Sequence, residues 1–382
     1  MMLEFVRIQR FKTLFDNSFS LSNLNIFSGL NGMGKSSFMQ VLLLLRQSFE
    51  KGIFPAKGLF LNGDYVSLGT SSDVLSESSD KDEMEFLLAW SDRKPDRYQF
   101  RYSSNSDVQN LIDASVDNDH SSINVSSNNI TEHDSDLSLF NGNFQYLSAD
   151  RISPQTMYGK SDYHVRTLDS LGNHGEFTPH YLAEHGLKKI SIPSFKHPST
   201  DGLTLTENVN AWMSEVSPGI RVEAKLQSDT NSVALRYCFT QQTDVTAFFK
   251  PQNVGFGITF VLPIVVALLK SKPGDLILLE NPEAHLHPAG QSVLGKLCAI
   301  ASQNGVQLCI ETHSDHFLNG VRVAVKEKLI DPDNVKLFYL ERNDQSSHCS
   351  TVISPKIDQN GCIDFWPDGF FDESNKALEK LL

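Results

Sequence analysis

The stretch Gly29-Leu30-Asn31-Gly32-Met33-Gly34-Lys35-Ser36 fits G-x-x-x-x-G-K-[ST], a spacing suited to cradling phosphate oxygens. Glycines let successive backbone N–H groups curl around an anion without Cβ obstruction. Lys35 would reach the outer phosphates, and the Ser36 hydroxyl would ligate Mg²⁺, with Asn31 and Ser37 flanking them. A second set lies far along the chain. The apolar run Leu276–Leu279 ends in Glu280, Asn281 and then Glu283, which puts carboxylates at the C-terminal edge of a buried strand, where ligands sit in open α/β sheets. Glu280 there could hold the Mg²⁺ shell opposite Ser36; the plainer reading is a strand ending in surface acids. Ile310-Glu311-Thr312-His313-Ser314-Asp315 repeats the pattern, and His313 could meet a γ-phosphate or the attacking water, although a lone histidine is more often structural. Finally, Asn253-Val254-Gly255-Phe256-Gly257 opens an apolar helix, an anion site of the same physical kind as the first loop. One ATP needs one such loop per subunit, so the second makes sense if it caps a γ-phosphate held by a partner subunit. The alternative is a glycine entry for close packing.

These residues need a parallel sheet to position them. Strands are expected at Leu3–Ile8, Ser18–Leu21 and Leu24–Ser28, the last feeding the glycine loop and a buried helix over Ser36–Phe49. Met84, Phe86, Leu88 and Trp90 alternate, as do Tyr98, Phe100 and Tyr102, which indicates an antiparallel β lobe. Ser103 to Leu139 is dense in Ser, Asn and Asp and reads as a long loop or an edge hairpin. A strand at Phe144–Ala149, a helix near Leu205–Val216 and a hairpin Arg221–Leu226/Val233–Thr240 follow. The last third alternates helix Ile258–Leu269, strand Leu276–Leu279, helix Ala289–Gln303, strand Val306–Ile310, helix Phe317–Lys328 and strand Val335–Leu340. That is βαβ order.

Composition bounds the function. The 382 residues are 40% hydrophobic and carry a net charge of −13, which argues against a whole-surface nucleic-acid binder. Between Tyr102 and Asp150 there is no Lys or Arg, while Asp107, Asp113, Asp117, Asp119, Glu132, Asp134 and Asp136 all fall there. Five cysteines without C-x-x-C spacing fit reduced thiols in a cytoplasm. No membrane span or signal peptide is expected, since the longest apolar stretch, Ile258–Leu269, is too short.

The ordered set resembles the ABC ATPase superfamily, in the branch shared with SMC, RecF and OLD proteins. Leu3–Ile8 followed by Phe11-Lys12 looks like the branch's first strand and F-K turn, which brings Lys12 among the candidate nucleotide contacts. Gly29–Ser36 is similar to Walker A and Leu276–Glu283 to Walker B. Asn253–Gly257 takes the place of the signature motif, His313 that of the switch histidine, and Pro282–Pro288 that of the D-loop region of OLD-like ATPases. Tyr146–Arg151 and the tail Phe365–Glu373 look like a bacterial group of predicted ATPases that end in a short domain of unknown function and often accompany nucleases in phage-defence clusters. The resemblance implies an α/β P-loop ABC head with a mixed sheet, an antiparallel β lobe and an inserted α+β segment. It implies ATP and Mg²⁺ as cofactors, Gly29, Asn31, Gly32, Gly34, Lys35, Ser36, Ser37, Lys12, Asn253, Gly255 and Gly257 around the nucleotide, and Glu280, Asn281, Glu283 and His313 at the chemistry.

Two departures stand out. Walker B ends Glu280-Asn281 in place of Asp-Glu, and an amide cannot take a proton from water; Glu283 or His313 could compensate, or hydrolysis is slow. The signature segment also lacks its serine. One head is expected, its core at residues 1–60, 144–152 and 250–350, with insertions at 61–143 and 153–249 and a tail at 351–382. It would work as a head-to-tail homodimer gating a separate effector such as a nuclease. The alternatives are a DNA-repair or DNA-end-binding ATPase, and a nucleotide-locked scaffold. A metal hydrolase built on His285, His287, His313, His316, Glu311 and Asp315 requires more assumptions. Asp331-Pro332-Asp333 is followed by too little chain for a Toprim module.

Overall fold

The computed structural model describes residues 1–115, 136–241, 244–342 and 348–381. In chain order the elements begin β1 (Leu3–Phe11), β2 (Leu14–Ser20), β3 (Leu24–Gly29), α1 (Lys35–Glu50), β4 (Gly58–Phe60), α2 (Ser71–Val74), β5 (Glu83–Trp90), β6 (Asp96–Arg101) and β7 (Val108–Ser115). They continue with β8 (Phe144–Leu147), β9 (Met157–Gly159), α3 (Thr178–His185), α4 (Leu205–Val216), β10 (Ile220–Gln227), β11 (Ser232–Gln241) and β12 (Asp244–Val245). The last are α5 (Phe256–Lys270), β13 (Leu276–Glu280), α6 (Pro288–Gln303), β14 (Gln307–Glu311), α7 (Asp315–Lys326), β15 (Val335–Glu341), β16 (Thr351–Ile353) and α8 (Glu373–Leu381). The chain forms two compact units. The first comprises Met1–Phe144, Val335–Lys356 and Asp364–Leu382; the second, Gln145–Asn334 and Ile357–Ile363.

In the first unit an antiparallel sheet runs β2-β1-β5-β6-β7-β4. Alternation builds its core face: Met84 sits opposite Phe100 and Phe86 opposite Tyr98, and all four are buried. On the other face Glu85 accepts two hydrogen bonds from Arg97, each 2.8 Å. The N-terminal strands run longer than the sequence pattern indicated, because β1 pairs with both β2 and β5 and so joins the lobe's sheet. The Ser103–Leu139 segment is in part a strand, β7, paired with β6; residues 116–135, with Asp117, Asp119, Glu132 and Asp134, lie outside the described residues. The same unit holds β3 parallel to β15, which pairs with β16. Phe27 of β3 stacks on Phe38 of α1 at 4.2 Å and on Phe338 of β15 at 4.9 Å, while Phe19 stands 4.8 Å from Phe38. Rings of this size dominate local burial, so this cluster fixes the strand and the helix on either side of the glycine loop.

In the second unit β13 and β14 are parallel, in register from Leu276 opposite Gln307 to Glu280 opposite Glu311. Nearly every residue of the two strands is buried, as in a parallel sheet whose faces are both covered. Helices α6 and α7 approach closely: a Cβ on Gly295 would meet the Phe317 carbonyl at 2.3 Å, and one on Gly320 the Ser292 carbonyl at 2.1 Å. Helix α4 has the span expected for it, and a capping box of Thr204 and Glu207 sets its start. Helix α7 starts two residues before the predicted Phe317 because Ser314 Oγ caps the Phe317 N–H at 2.9 Å. Among the described residues no helix is long and apolar enough to cross a membrane.

Candidate functional site

The first unit presents the glycine loop between β3 and α1. Gly29 (φ +143°), Gly32 (φ +78°) and Gly34 (φ +88°) occupy backbone regions that L side chains avoid. Space separates their roles. A Cβ at Gly29 would meet the Leu340 carbonyl at 2.3 Å and one at Gly34 the Thr13 hydroxyl at 2.5 Å, whereas one at Gly32 meets nothing within 4 Å. Gly29 and Gly34 therefore anchor the loop, and Gly32 lies on its open side. Lys35 is buried, and its Nζ donates to the carbonyls of Gly29 at 2.8 Å and Leu30 at 2.9 Å. The ammonium is thus held in the hollow of the loop. The first turn of α1 carries no acidic residue, so its positive end is left for an anion. Asn31 is exposed and Ser36 half-buried, whereas Ser37 is buried. Lys12 is directed to α1, donating to Gln40 Oε1 at 2.8 Å, and burial lowers its pKa.

The second unit presents the carboxylates. Glu280 ends β13 and accepts from the Ala149 N–H at 3.2 Å. The Tyr146 hydroxyl lies against it, its pKa raised first by burial and then by that carboxylate. Asn281 follows with φ +43°, a region asparagine tolerates and most residues do not. Its N–H donates to the Glu311 carbonyl at 2.8 Å. The Oδ1 is buried with no hydrogen-bond partner among the described residues. Glu283 turns to the neighbouring strand end: its carboxylate accepts from Thr312 Oγ1 and from the His313 N–H, both at 2.8 Å. It thereby fixes the turn that presents His313, whose side is exposed. His287 caps α6 through the Ala289 N–H. Among the described residues no three His, Cys, Asp or Glu side chains converge as a metal cluster. Hard oxygen donors of the kind Mg²⁺ takes are present in Ser36 of the first unit and Glu280 of the second.

Helix α5 begins at Phe256, two residues before the predicted start, with Gly255 as its N-cap and no acid in its first turn. Asn253 ends a preceding single turn, Pro251–Asn253. Gly255 and Asn253 are exposed, whereas Gly257 is buried. A Cβ on Gly257 would strike the His285 carbonyl at 2.2 Å; at Gly255 the nearest atom is Ile258 Cδ1 at 3.8 Å. Close packing accounts for Gly257, and the exposed helix end belongs to Gly255.

An arginine outside the four phosphate and carboxylate motifs holds the same edge. Arg151 is 3% exposed and donates to the carbonyls of Ser148 (2.8 Å), Glu280 (2.8 Å) and Asn281 (2.7 Å). Burial pushes its pKa down to about 10, against the pull of Glu283 and Glu280. No motif spacing announces such a contact. The one available signal was an arginine placed just after an apolar strand.

In the C-terminal tail, Phe370 is buried and packs on Tyr339 at 5.5 Å, while Phe365 and Trp366 remain exposed. Asp331–Asp333 lies at the single turn leading into β15.

Residues 24–319 match a family described as "AAA domain, putative AbiEii toxin, Type IV TA system", and residues 330–381 match "Protein of unknown function (DUF3696)". No curated protein matches the chain. Among solved structures, the Smc head bound to the C-winged helix domain of ScpA is similar at a TM-score of 0.54 and 13% identity, covering 93% of this chain and 98% of that one. The Smc head domain with an extended coiled coil, bound to the C-terminal domain of ScpA derived from Pyrococcus furiosus, aligns at 0.51 and 14%, covering 100% and 99%. These likenesses carry the fold, an ABC-type head with mixed and antiparallel sheets. The chain belongs to the AAA domain family matched over residues 24–319, with the fold of an ABC-type ATP-binding head, and its residues 330–381 match a domain of unknown function.

Proposed function

We propose that the head binds MgATP through the Gly29–Ser36 loop, closes head-to-tail with a second copy, and gates a separate effector chain. The observation that carries the reading is Lys35 held in a glycine hollow at the unneutralised end of α1. In this reading Ser36 is a Mg²⁺ ligand beside the phosphates, and Glu280 and His313 keep the roles that the resemblance implies for them. The exposed N-terminus of α5, free of acids, supports a role in capping the partner's nucleotide. Loss of the γ-phosphate then reopens the pair. With Asn281 where a base is expected, hydrolysis is slow. A family described by a toxin and a type IV TA system favours an effector partner in anti-phage defence over DNA repair, as does the net charge of −13.

Sedimentation of the parent and of Lys35→Ala, with and without MgATP, tests this. Association that requires MgATP and is lost in the variant supports gating. Association indifferent to nucleotide overturns it. DNA binding that strengthens with ATP and falls steeply with salt would instead favour the end-binding alternative.

A further inference from the structure

Arg151 does more than fill space in the second unit. Its two terminal nitrogens hold the main chain of Glu280 and Asn281, and one of them also reaches Ser148, at the end of β8. The Cζ of the same guanidinium lies 4.9 Å from the centroid of the Phe260 ring of α5. Phe260 in turn stands 5.1 Å from Phe256 and 5.0 Å from His285, and Phe256 is 4.8 Å from His285. Phe256 opens α5 and is 43% exposed. A continuous set of contacts therefore runs from the exposed end of α5 through Phe260 to Arg151, and from there to the backbone of Glu280 and Asn281. Gly257, seated on the His285 carbonyl, ties the same helix end to the segment following Asn281.

The chemistry of the link is specific. A planar guanidinium can hold diverging carbonyls while its face remains free for a ring; an ammonium offers a point charge without a stacking face. Arg151 Nε is buried with no partner among the described residues, an expensive arrangement for a residue that merely packs. The backbone it holds includes Asn281 at φ +43°, where a small rotation would re-aim both neighbouring side chains.

We propose that Arg151 is a positioning residue that couples the N-terminus of α5 to the Glu280–Asn281 edge, so that turnover follows what touches that helix end. This rests on the ATPase reading above. The test compares parent, Arg151→Lys and Phe260→Leu for binding of a fluorescent ATP analogue, for MgATP-driven association, and for phosphate release per chain across the association range. The parent's turnover should rise as chains associate. In Arg151→Lys, affinity and association should persist while turnover falls about 100-fold, the scale of a misplacement near 1 Å. Phe260→Leu leaves the carbonyl bonds in place and should bind and associate as the parent does, with turnover no longer following association. Concentration-dependent turnover retained in both variants overturns the proposal, as does loss of binding and association together, which would mark a structural role. Failure of the ATPase reading itself would already be visible in the parent as absence of nucleotide binding.

Discussion

Replacing Asn281 with glutamate puts a carboxylate where an amide now follows Glu280. The main chain there is fixed from three directions: the N–H donates to Glu311, and the carbonyl accepts from Arg151 at 2.7 Å and from the Ala284 N–H at 3.1 Å. The new side chain must therefore accept φ +43°. A residue without asparagine's tolerance of this region loses about 1–2 kcal/mol. The glutamate brings its own oxygens and a charge to the place of the buried, unpaired Oδ1, so no relief offsets that loss. Stability should thus fall by at least about 1–2 kcal/mol. A positioned general base is worth about 10²–10⁴ in rate, or about 2.7–5.4 kcal/mol of barrier at 1.36 kcal/mol per decade. Faster turnover is therefore expected despite a lower urea midpoint. Phosphate release at saturating MgATP measures it, with Asn281→Gln as the control of similar length that supplies no base. If the glutamate variant folds, binds nucleotide and turns over no faster than the glutamine variant, Asn281 does not stand at the base position.

The two roles of glycine in the phosphate loop should separate on denaturation. Gly29→Ala must displace the Leu340 carbonyl and should lose about 1–3 kcal/mol, whereas Gly32→Ala, strained but unobstructed, should lose about 1 kcal/mol. At α5, Gly257→Ala should lower the melting point because it pushes the helix off the His285 carbonyl at 2.2 Å; Gly255→Ala should leave the melt unchanged and weaken only MgATP-driven association. Glu85 should contribute to acid stability. The hydrogen bonds from Arg97 hold its carboxyl below the ordinary 4.5, so its contribution is present above that value and is lost as pH falls through the lower folded pKa. Glu85→Gln should give a flatter stability profile than the parent below pH 4.5, followed by urea melts at successive pH values; identical slopes would refute the assignment.

The phosphate loop was legible in the chain because its chemistry is local: Gly29, Gly32, Gly34, Lys35 and Ser36 act through backbone freedom and neighbouring groups within a few residues. Hydrophobic period likewise revealed β5, α4 and the βαβ order of the last third, since burial repeats at fixed intervals along one element. Where the contacts are long-range, pattern was silent. Nothing in the spacing of Leu3–Ile8 says that β1 joins the lobe's sheet, because strand pairing depends on a partner some eighty residues away. Asn281 reads as a missing base in the sequence; only its positive φ and the carbonyl held by Arg151 show a main chain shaped for that residue. Gly257 and Gly255 look alike in one dimension. Tertiary packing distinguishes them, because the carbonyl that one of them abuts comes from a turn beyond the next strand. The sequence determined which groups are available for phosphate chemistry, and folding decided which are held, which are spent on packing, and which face outward.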